Sequence, residues 1–232
     1  MYKLLADLYR VVINTRNLLY DAGMLRVHRT GIPVVSIGNI EAGGTGKTPF
    51  TLALAKELTG IGLFPAIVTR GYKGRLKGVI QVRPDHDYRD VGDEPLLMAR
   101  SGIAPVIKSP DRVKGALYAR DMLKADVVVL DDGFQHRRIH RDIDIVLVSR
   151  NLSRELLLPE GRLREPTASL SRAHYVIYTK DAGNGRLSAE LTASELVDMS
   201  GKICDLEVLQ GKQVLAVCGI ARPEHFIRTL EA

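Results

Sequence analysis

The sequence predicts an α/β fold with a mostly parallel β-sheet covered by helices on both faces. Short, fully apolar runs of strand length recur along the chain, as expected for strands that are buried on both faces. Segments with helical spacing of apolar residues separate these runs, so crossover helices can join successive strands. The predicted strands are 33–38, 65–69, 105–107, 125–130, 144–149, 174–179 and 213–219. The predicted helices after the N-terminal one are 48–59, 93–101 and 111–124, and a further one starts within 219–232.

The chain begins with a strongly amphipathic helix, predicted over residues 1–24. Lys3, Asp7, Arg10 and Arg16 interrupt its apolar pattern. A spanning helix needs about 20 mostly apolar residues, so this segment is not a membrane span. Two interpretations stay open: the helix lies on an anionic membrane, or it packs on its own domain. At 100° per residue its apolar face is formed by Leu4, Leu8, Val11, Val12, Leu18 and Leu19.

The composition narrows the class of partner. A net charge of +6 and a pI of about 9.4 favour a polyanion, such as nucleic acid, an acidic membrane or a phosphorylated substrate. Nucleic acid is the weakest of these, because the chain has no Trp, only 5% aromatic residues and no recognition motif. The two cysteines, Cys204 and Cys218, lack disulfide or metal-site spacing, which indicates a reducing compartment.

A glycine-rich loop, "GNIEAGGTGKTPF" at 38–50, follows the first strand and opens a helix. Its backbone amides can converge on phosphate oxygens, Lys47 can place a charge at the β and γ phosphates, and Thr48 can offer a hydroxyl to Mg²⁺. The match to G-x-x-x-x-G-K-[ST] is incomplete, because Glu41 stands at the first glycine position. The predicted ATP-binding residues are Gly43, Gly44, Thr45, Gly46, Lys47 and Thr48.

Two aspartates, Asp131 and Asp132, directly follow the predicted strand 125–130, at its carboxyl end. Ligands collect at the carboxyl ends of strands in open parallel sheets. A carboxylate there can hold the Mg²⁺ of a nucleotide directly or through water, with Thr48 as a further ligand. The sequence leaves open which of the two aspartates meets the metal, and also whether the pair only caps a turn.

The segment "VGDEP" at 91–95 places Asp93 and Glu94 on a tight turn that opens a helix. Such residues can be a base or a metal ligand, or they can simply match the helix dipole.

Basic residues cluster in loops, most of which follow predicted strands, so a second anionic group can bind there if the loops are more than solvated surface. These loops are 70–77, 108–114, 136–141 and 161–166.

Several motifs occur in the order found in one family. They are "VVSIGNIEAGGTGKTP", "RGYKG", "GDEPLLMA", "DDGFQHRRIHRDIDIVLV" and "LLPEGRLREP". On these motifs the chain resembles the tetraacyldisaccharide 4′-kinases of lipid A biosynthesis. The resemblance implies a P-loop NTPase-like fold, with ATP and Mg²⁺ used to phosphorylate the 4′-hydroxyl of a tetraacyldisaccharide 1-phosphate lipid. It also implies a peripheral protein on the cytoplasmic face of the inner membrane, docked on the anionic surface by its N-terminal helix.

The resemblance also implies roles for individual residues. Asp93 corresponds to the catalytic base, which takes the proton of the attacking hydroxyl. Lys47 and Asp131 complete the predicted catalytic group, in which cations surround the transferring phosphoryl group. Candidate substrate-binding residues are Asn39, Arg70, His136 and Arg137.

The sequence departs from the family pattern in places. Ser149 stands where an Asp is usual, and Arg162 where a Pro is common. The predicted domains are the docking helix at 1–24, a kinase core at 25–180, and a linker with the start of a C-terminal lobe at 181–232. Because the chain ends within a predicted helix, we expect that lobe to be truncated. An alternative function is therefore an ATP-binding, membrane-associated P-loop protein without phosphoryl transfer.

Overall fold

The computed structural model describes residues 2–149, 152, 155–179, 185–192, 196–198, 202–218, 226–227 and 230. The chain divides into two compact units, Met1–Ala189 and Glu190–Ala232. The helices are α1 (Tyr2–Asp21), α2 (Lys47–Gly60), α3 (Tyr88–Val91), α4 (Asp93–Arg100) and α5 (Arg112–Asp121), with 3₁₀ turns at Thr167–Arg172 and Leu206–Leu209. The strands are β1 (Val34–Gly38), β2 (Pro65–Thr69), β3 (Ile80–Val82), β4 (Val106–Lys108), β5 (Val127–Asp131), β6 (Ile143–Val148), β7 (Tyr175–Tyr178), β8 (Leu196–Val197) and β9 (Ile203–Cys204).

The first unit is built on a seven-stranded sheet with the order β3-β4-β2-β5-β1-β6-β7. The strands from β4 to β7 in this order pair in parallel, and β3 adds an antiparallel edge. β1 and β5 lie side by side, with Ile37 opposite Asp131. Their carboxyl ends therefore meet at the middle of the sheet, which confirms the predicted α/β class.

Helices cover both faces of this sheet because the buried strands alternate their side chains between two apolar layers. One layer packs Ile37, Ile67 and Val129 against Ala55 of α2 and Met98 of α4. The opposite layer packs strand residues against the small residues of α5. The second layer includes Val34, Val68, Val128, Leu130, Ala116 and Ala119.

Helix α1 rests on the first unit along a narrow seam. Ala6 and Ile13 are buried, and the Tyr9 hydroxyl donates to the backbone oxygen of Arg164 at 2.8 Å. The broader apolar face of this amphipathic helix is exposed to solvent. Among the residues that the structure describes, no helix is long and apolar enough to cross a membrane. The exposed apolar side chains are Leu4, Leu5, Leu8, Val11, Val12 and Leu18.

The structure corrects the predicted strand at 213–219. Residues 213–218 form no strand, and Gly219 lies outside the described residues. Leu215 is 92% exposed and Val217 is 80% exposed. An apolar run becomes a strand only where a neighbouring strand pairs with it, and the strand pair described in this unit is β8 with β9. The predicted C-terminal helix lies mostly outside the described residues. The three of its residues that are described, 226, 227 and 230, are helical.

Candidate active site

The glycine-rich loop lies where it was predicted, between β1 and α2. Gly46 has a φ of 79° and precedes α2, whose first turn has no side-chain cap. The amides at this end of α2 are therefore open to an anion, and the helix dipole favours one there. Lys47 is the first residue of α2, so its side chain starts at the same point.

Asn39 braces the loop from below. Its Nδ2 donates to Thr45 Oγ1 at 3.0 Å, and its backbone oxygen accepts from Gln135 Nε2 at 2.7 Å. Asn39 is fully buried, so the structure places this predicted substrate-binding residue within the support of the loop. Gln135 comes shortly after the aspartate pair in the chain. Its hydrogen bond to Asn39 therefore links the aspartate motif to the glycine-rich loop.

Residues 162–164 form a second support, which we call the strap. Ala42 N donates to Arg162 O at 2.7 Å, and Arg164 N donates to Ile40 O at 2.7 Å. The Arg162 guanidinium also donates to Ala42 O at 2.8 Å. The Arg found where the family often has Pro therefore bonds to the loop directly.

Glu41, which departs from the G-x-x-x-x-G-K-[ST] pattern, contacts Ser149, which departs from the family pattern. Glu41 is 2% exposed, and its carboxylate accepts from Ser149 N at 2.6 Å and from Ser149 Oγ at 2.8 Å. The side chain at the first glycine position therefore turns into the interior. It joins the start of the loop to the end of β6 and leaves the amides of residues 43–48 free to meet phosphate.

The two aspartates have different surroundings. Asp131 is 2% exposed, and its Oδ2 accepts from Thr69 Oγ1 at 2.9 Å. Burial raises the pKa of Asp131, and the Thr69 hydrogen bond opposes that shift. Its other oxygen, Oδ1, is buried and has no hydrogen-bond partner in the described part of the chain. A buried carboxylate oxygen of this kind needs a donor or a cation.

Asp132 already has cationic partners. Its oxygens lie 3.5 Å from Lys47 Nζ and 3.1 Å and 3.2 Å from Arg164 Nη1. Burial would raise the pKa of Asp132, but Lys47 and Arg164 outweigh it and hold that pKa below its ordinary value. Of the two carboxylates, Asp131 is therefore the one with an oxygen that, within the region the structure describes, still lacks a donor or cation. No cluster of three or more His, Cys, Asp or Glu suited to a metal occurs among the described residues.

Arg112 was not singled out from its basic loop. It is 3% exposed at the start of α5, and its Nη1 donates to Ser109 O at 3.4 Å. Burial lowers the pKa of Arg112 to about 10, while Asp132 and Asp131 act in the opposite direction. It therefore stays charged at neutral pH and adds a cation beside the aspartates. The only sequence signal was its membership of the 108–114 cluster.

The acidic turn faces the glycine-rich loop. Asp93 is exposed and is the first residue of α4, after Gly92 with a φ of 99°. Burial raises the pKa of Glu94, and the charges of Asp131, Asp93 and Asp132 add to this while Lys47 opposes it. Such mutual influence requires short distances. The structure thus brings the "GDEP" motif to the phosphate site.

The remaining predicted substrate-binding residues differ in their positions. Arg70 is exposed after β2 and contributes to the electrostatics of Arg112. Burial lowers the pKa of His136 to about 4, aided by Arg112, so its imidazole is neutral at physiological pH. Arg137 turns to α1 instead, donating to Asn17 O at 3.0 Å and to Asp21 Oδ1 at 2.6 Å. The predicted substrate contact of Arg137 remains a prediction.

The fold and this site define a P-loop nucleotide-binding protein. A profile of the family described as LpxK, tetraacyldisaccharide-1-P 4′-kinase, matches residues 1–232. The chain belongs to that family.

Two curated relatives have the name tetraacyldisaccharide 4′-kinase. The one from Syntrophus aciditrophicus is 39% identical over 97% of this chain and 69% of its own length. The one from Geobacter sulfurreducens is 38% identical over 97% of this chain and 69% of its own length. A crystal structure of LpxK from Aquifex aeolicus in complex with ATP superposes with a TM-score of 0.86 at 34% identity. The superposition covers 98% of this chain and 76% of the LpxK chain.

Proposed function

We propose that this chain transfers the γ-phosphoryl group of ATP to the 4′-hydroxyl of a tetraacyldisaccharide 1-phosphate. One observation carries the proposal. The uncapped start of α2 with Lys47, the aspartate pair and the Asp93–Glu94 turn converge on one edge of the sheet. Membership of the tetraacyldisaccharide 4′-kinase family identifies the reaction class, and the ATP-bound LpxK structure supports the donor.

Residues 43–48 hold the phosphates through their amides, and Lys47 neutralises charge on the β and γ groups. Thr48 and Asp131 Oδ1 would hold Mg²⁺, since that oxygen is buried without another partner in the described region. Bound Mg²⁺ would supply charge neutralisation across the phosphates. Asp132 stays bound to Lys47 and Arg164, so it fixes the position of the lysine.

In the transfer step, the 4′-oxygen forms a bond to the γ-phosphorus as the bond from that phosphorus to the β–γ bridging oxygen breaks. Asp93 accepts the proton of the hydroxyl, and ADP leaves with the bridging oxygen. Asp93 is exposed at the start of α4, where the acceptor hydroxyl can reach its carboxylate. Arg70 and Arg112 add positive charge around the transferring group.

Transfer from labelled ATP to the detergent-solubilised tetraacyldisaccharide 1-phosphate tests this proposal. We expect a bisphosphorylated lipid with the wild-type chain and none with Lys47→Ala. A chain that binds ATP but forms no product would overturn the proposal. It would favour the alternative of a nucleotide-binding, membrane-associated protein without transfer.

We also propose that α1 docks the protein on the cytoplasmic face of the inner membrane. Its exposed apolar side chains include Leu8 at 61% and Val12 at 56%. Such a face beside basic residues suits the boundary between headgroups and acyl chains of an anionic bilayer. Tyr9 bonds to Arg164 of the strap, and Arg16 bonds to Glu165, the next residue. These contacts keep the helix attached on its other side.

Sedimentation with vesicles that contain phosphatidylglycerol tests the docking. The double variant Leu8→Asp with Val12→Asp should lose most binding, because two charges enter the apolar face. Ile61→Asp is the matched control, since Ile61 is 74% exposed and follows α2, outside α1. Equal binding by all three proteins would show that α1 does not dock the protein.

A further inference from the structure

Lys108 is a buried cation that the proposed chemistry does not use. It is the last residue of β4 and is 1% exposed. Its Nζ donates to Leu76 O at 2.8 Å and to Asp90 O at 2.9 Å. Burial lowers the pKa of Lys108, with Lys77 acting in the same direction and Asp90 against it. A buried ammonium is costly, so a lysine at this position needs an explanation beyond filling space.

The two carbonyls belong to separate segments that Lys108 joins. Leu76 lies in the loop 70–77, and Asp90 lies in α3. The same segments are paired by Arg75 N to Arg89 O at 2.9 Å and by Leu76 N to Asp90 O at 3.0 Å. Asp90 O thus accepts from both a backbone amide and the ammonium.

Glycines allow the loop to close around the lysine. A Cβ at Gly71 would collide with the Lys108 stem, and a Cβ at Gly74 would collide with its Nζ. A Cβ at Gly92 would lie 2.8 Å from Tyr72 O. The loop, the lysine and the turn before α4 therefore pack with no room for further side-chain atoms.

We propose that Lys108 is a positioning residue for phosphoryl transfer. Its ammonium fixes the turn at residues 90–92 to the end of β4, and so sets where Asp93 and Glu94 stand relative to the glycine-rich loop. Asp90 is three residues before Asp93, with Gly92 between the two helices, so the bond and the base are close in the chain. The kinetic part of this inference rests on the proposed function.

The effect on rate follows from geometry. A displacement of about 1 Å at a reacting group can cost about 100-fold in rate. In Lys108→Met the stem is preserved, but the Leu76 carbonyl loses its donor and the Asp90 carbonyl keeps only the Leu76 amide. Water or local rearrangement must then satisfy the Leu76 carbonyl, which loosens the turn.

The kinetic test compares Lys108→Met with the wild type and with Lys56→Met, an exposed lysine on α2. We expect kcat to fall about 100-fold in Lys108→Met, with ATP affinity maintained and the urea midpoint changed little, because removing the desolvation cost of the ammonium offsets the lost hydrogen bonds. A parallel loss of kcat, ATP affinity and stability would show a general structural role. An unchanged kcat would also overturn the proposal.

Amide hydrogen exchange gives a readout that does not require activity. The amides of Arg75, Leu76 and Gly92 should exchange faster in Lys108→Met, while the amides of β5 stay protected. Unchanged exchange in these three amides overturns the positioning role, even if the wild-type chain transfers no phosphate. Absence of transfer by the wild type would instead count against the proposed function.

Gly74→Ala provides a second route if Lys108→Met does not fold. This variant keeps the lysine, but the new methyl group would meet its Nζ and would lie 2.7 Å from Asp90 O. We expect the same faster exchange and a reduced kcat. Wild-type exchange and rate in Gly74→Ala would contradict the proposal.

Discussion

The two halves of the candidate site are held in different ways. The phosphate half is braced by backbone hydrogen bonds to the strap and also by charged side chains, with Lys47 and Arg164 on Asp132 and the Arg162 guanidinium on the loop. The acceptor half, at Asp93 and Glu94, is braced by backbone hydrogen bonds, close-packed glycines and one buried ammonium.

This difference fits what each half has to do. A site for phosphates needs counter-charges that are already in place, because reorganising them would cost energy during the reaction. A base needs a carboxylate that is still able to take a proton, so its supports should not be cations bound to that carboxylate. Damage to the phosphate half should therefore appear in ATP affinity, and damage to the acceptor half in turnover.

Lys47→Met should have the largest effect. It removes the charge at the β and γ phosphates and one partner of Asp132, so we expect kcat/KM to fall by about 1,000-fold or more with weaker ATP binding. Steady-state kinetics and a fluorescent ATP analogue measure the two losses. Lys56→Met, on the exposed side of the same helix, should behave as wild type. Near-normal turnover in Lys47→Met would place the phosphates elsewhere.

Asp93→Asn should separate the two halves. Loss of a general base typically costs 10²–10⁴-fold, so kcat should fall by about that factor while ATP affinity stays near wild type. Glu94→Gln is the matched comparison and should cost less. A larger loss in Glu94→Gln would transfer the role of base to Glu94, whose pKa is raised by burial and by Asp131.

The sequence predicted those parts of the site that are local in the chain. The apolar runs give the strands, and the residues directly after 33–38 and 125–130 give the loop and the aspartates, because chain order and the parallel topology bring those ends together. The bond between Thr69 and Asp131, 62 residues apart, had no such signal.

The basic loops show the limit most clearly. Arg137 and Arg164 looked alike as members of charged clusters, yet Arg164 binds Asp132 and Arg137 binds α1. The partner of a long cationic side chain depends on tertiary placement, which a single sequence does not provide. The wrong strand at 213–218 has the same origin, since an apolar run cannot reveal whether another strand pairs with it.

Arg164→Met tests the charged bracing with a smaller expected effect. Asp132 would lose a two-oxygen contact, and its pKa should rise because only Lys47 and Arg112 then oppose burial. We expect a loss of about 1 kcal/mol in the free energy of unfolding and a few-fold weaker ATP binding. Urea unfolding and the nucleotide titration measure these changes. Arg83→Met, an exposed arginine after β3, is the control, and equal stability of the two variants would contradict the prediction.

A pH dependence of stability should come from His136 in the phosphate half. Burial lowers its pKa to about 4, so the unfolded chain binds a proton there between pH 6.5 and 4 that the folded chain does not. Stability from this residue is therefore complete above pH 6.5 and is lost as the pH falls towards 4, with a slope of at most about 1.4 kcal/mol per pH unit.

Urea unfolding of wild type and His136→Gln at pH 7.5 and pH 5 tests this dependence. The wild type should lose more stability on acidification than the variant, and His86→Gln, in a loop after β3, should keep the wild-type difference. Equal acid sensitivity in His136→Gln would show that burial does not lower the pKa of His136, so that the folded wild type has a protonated imidazole at pH 5. A protonated His136 would be one more cation in the half that already holds Lys47, Arg112 and Arg164. The expected neutral state instead adds no further cation beside those three residues.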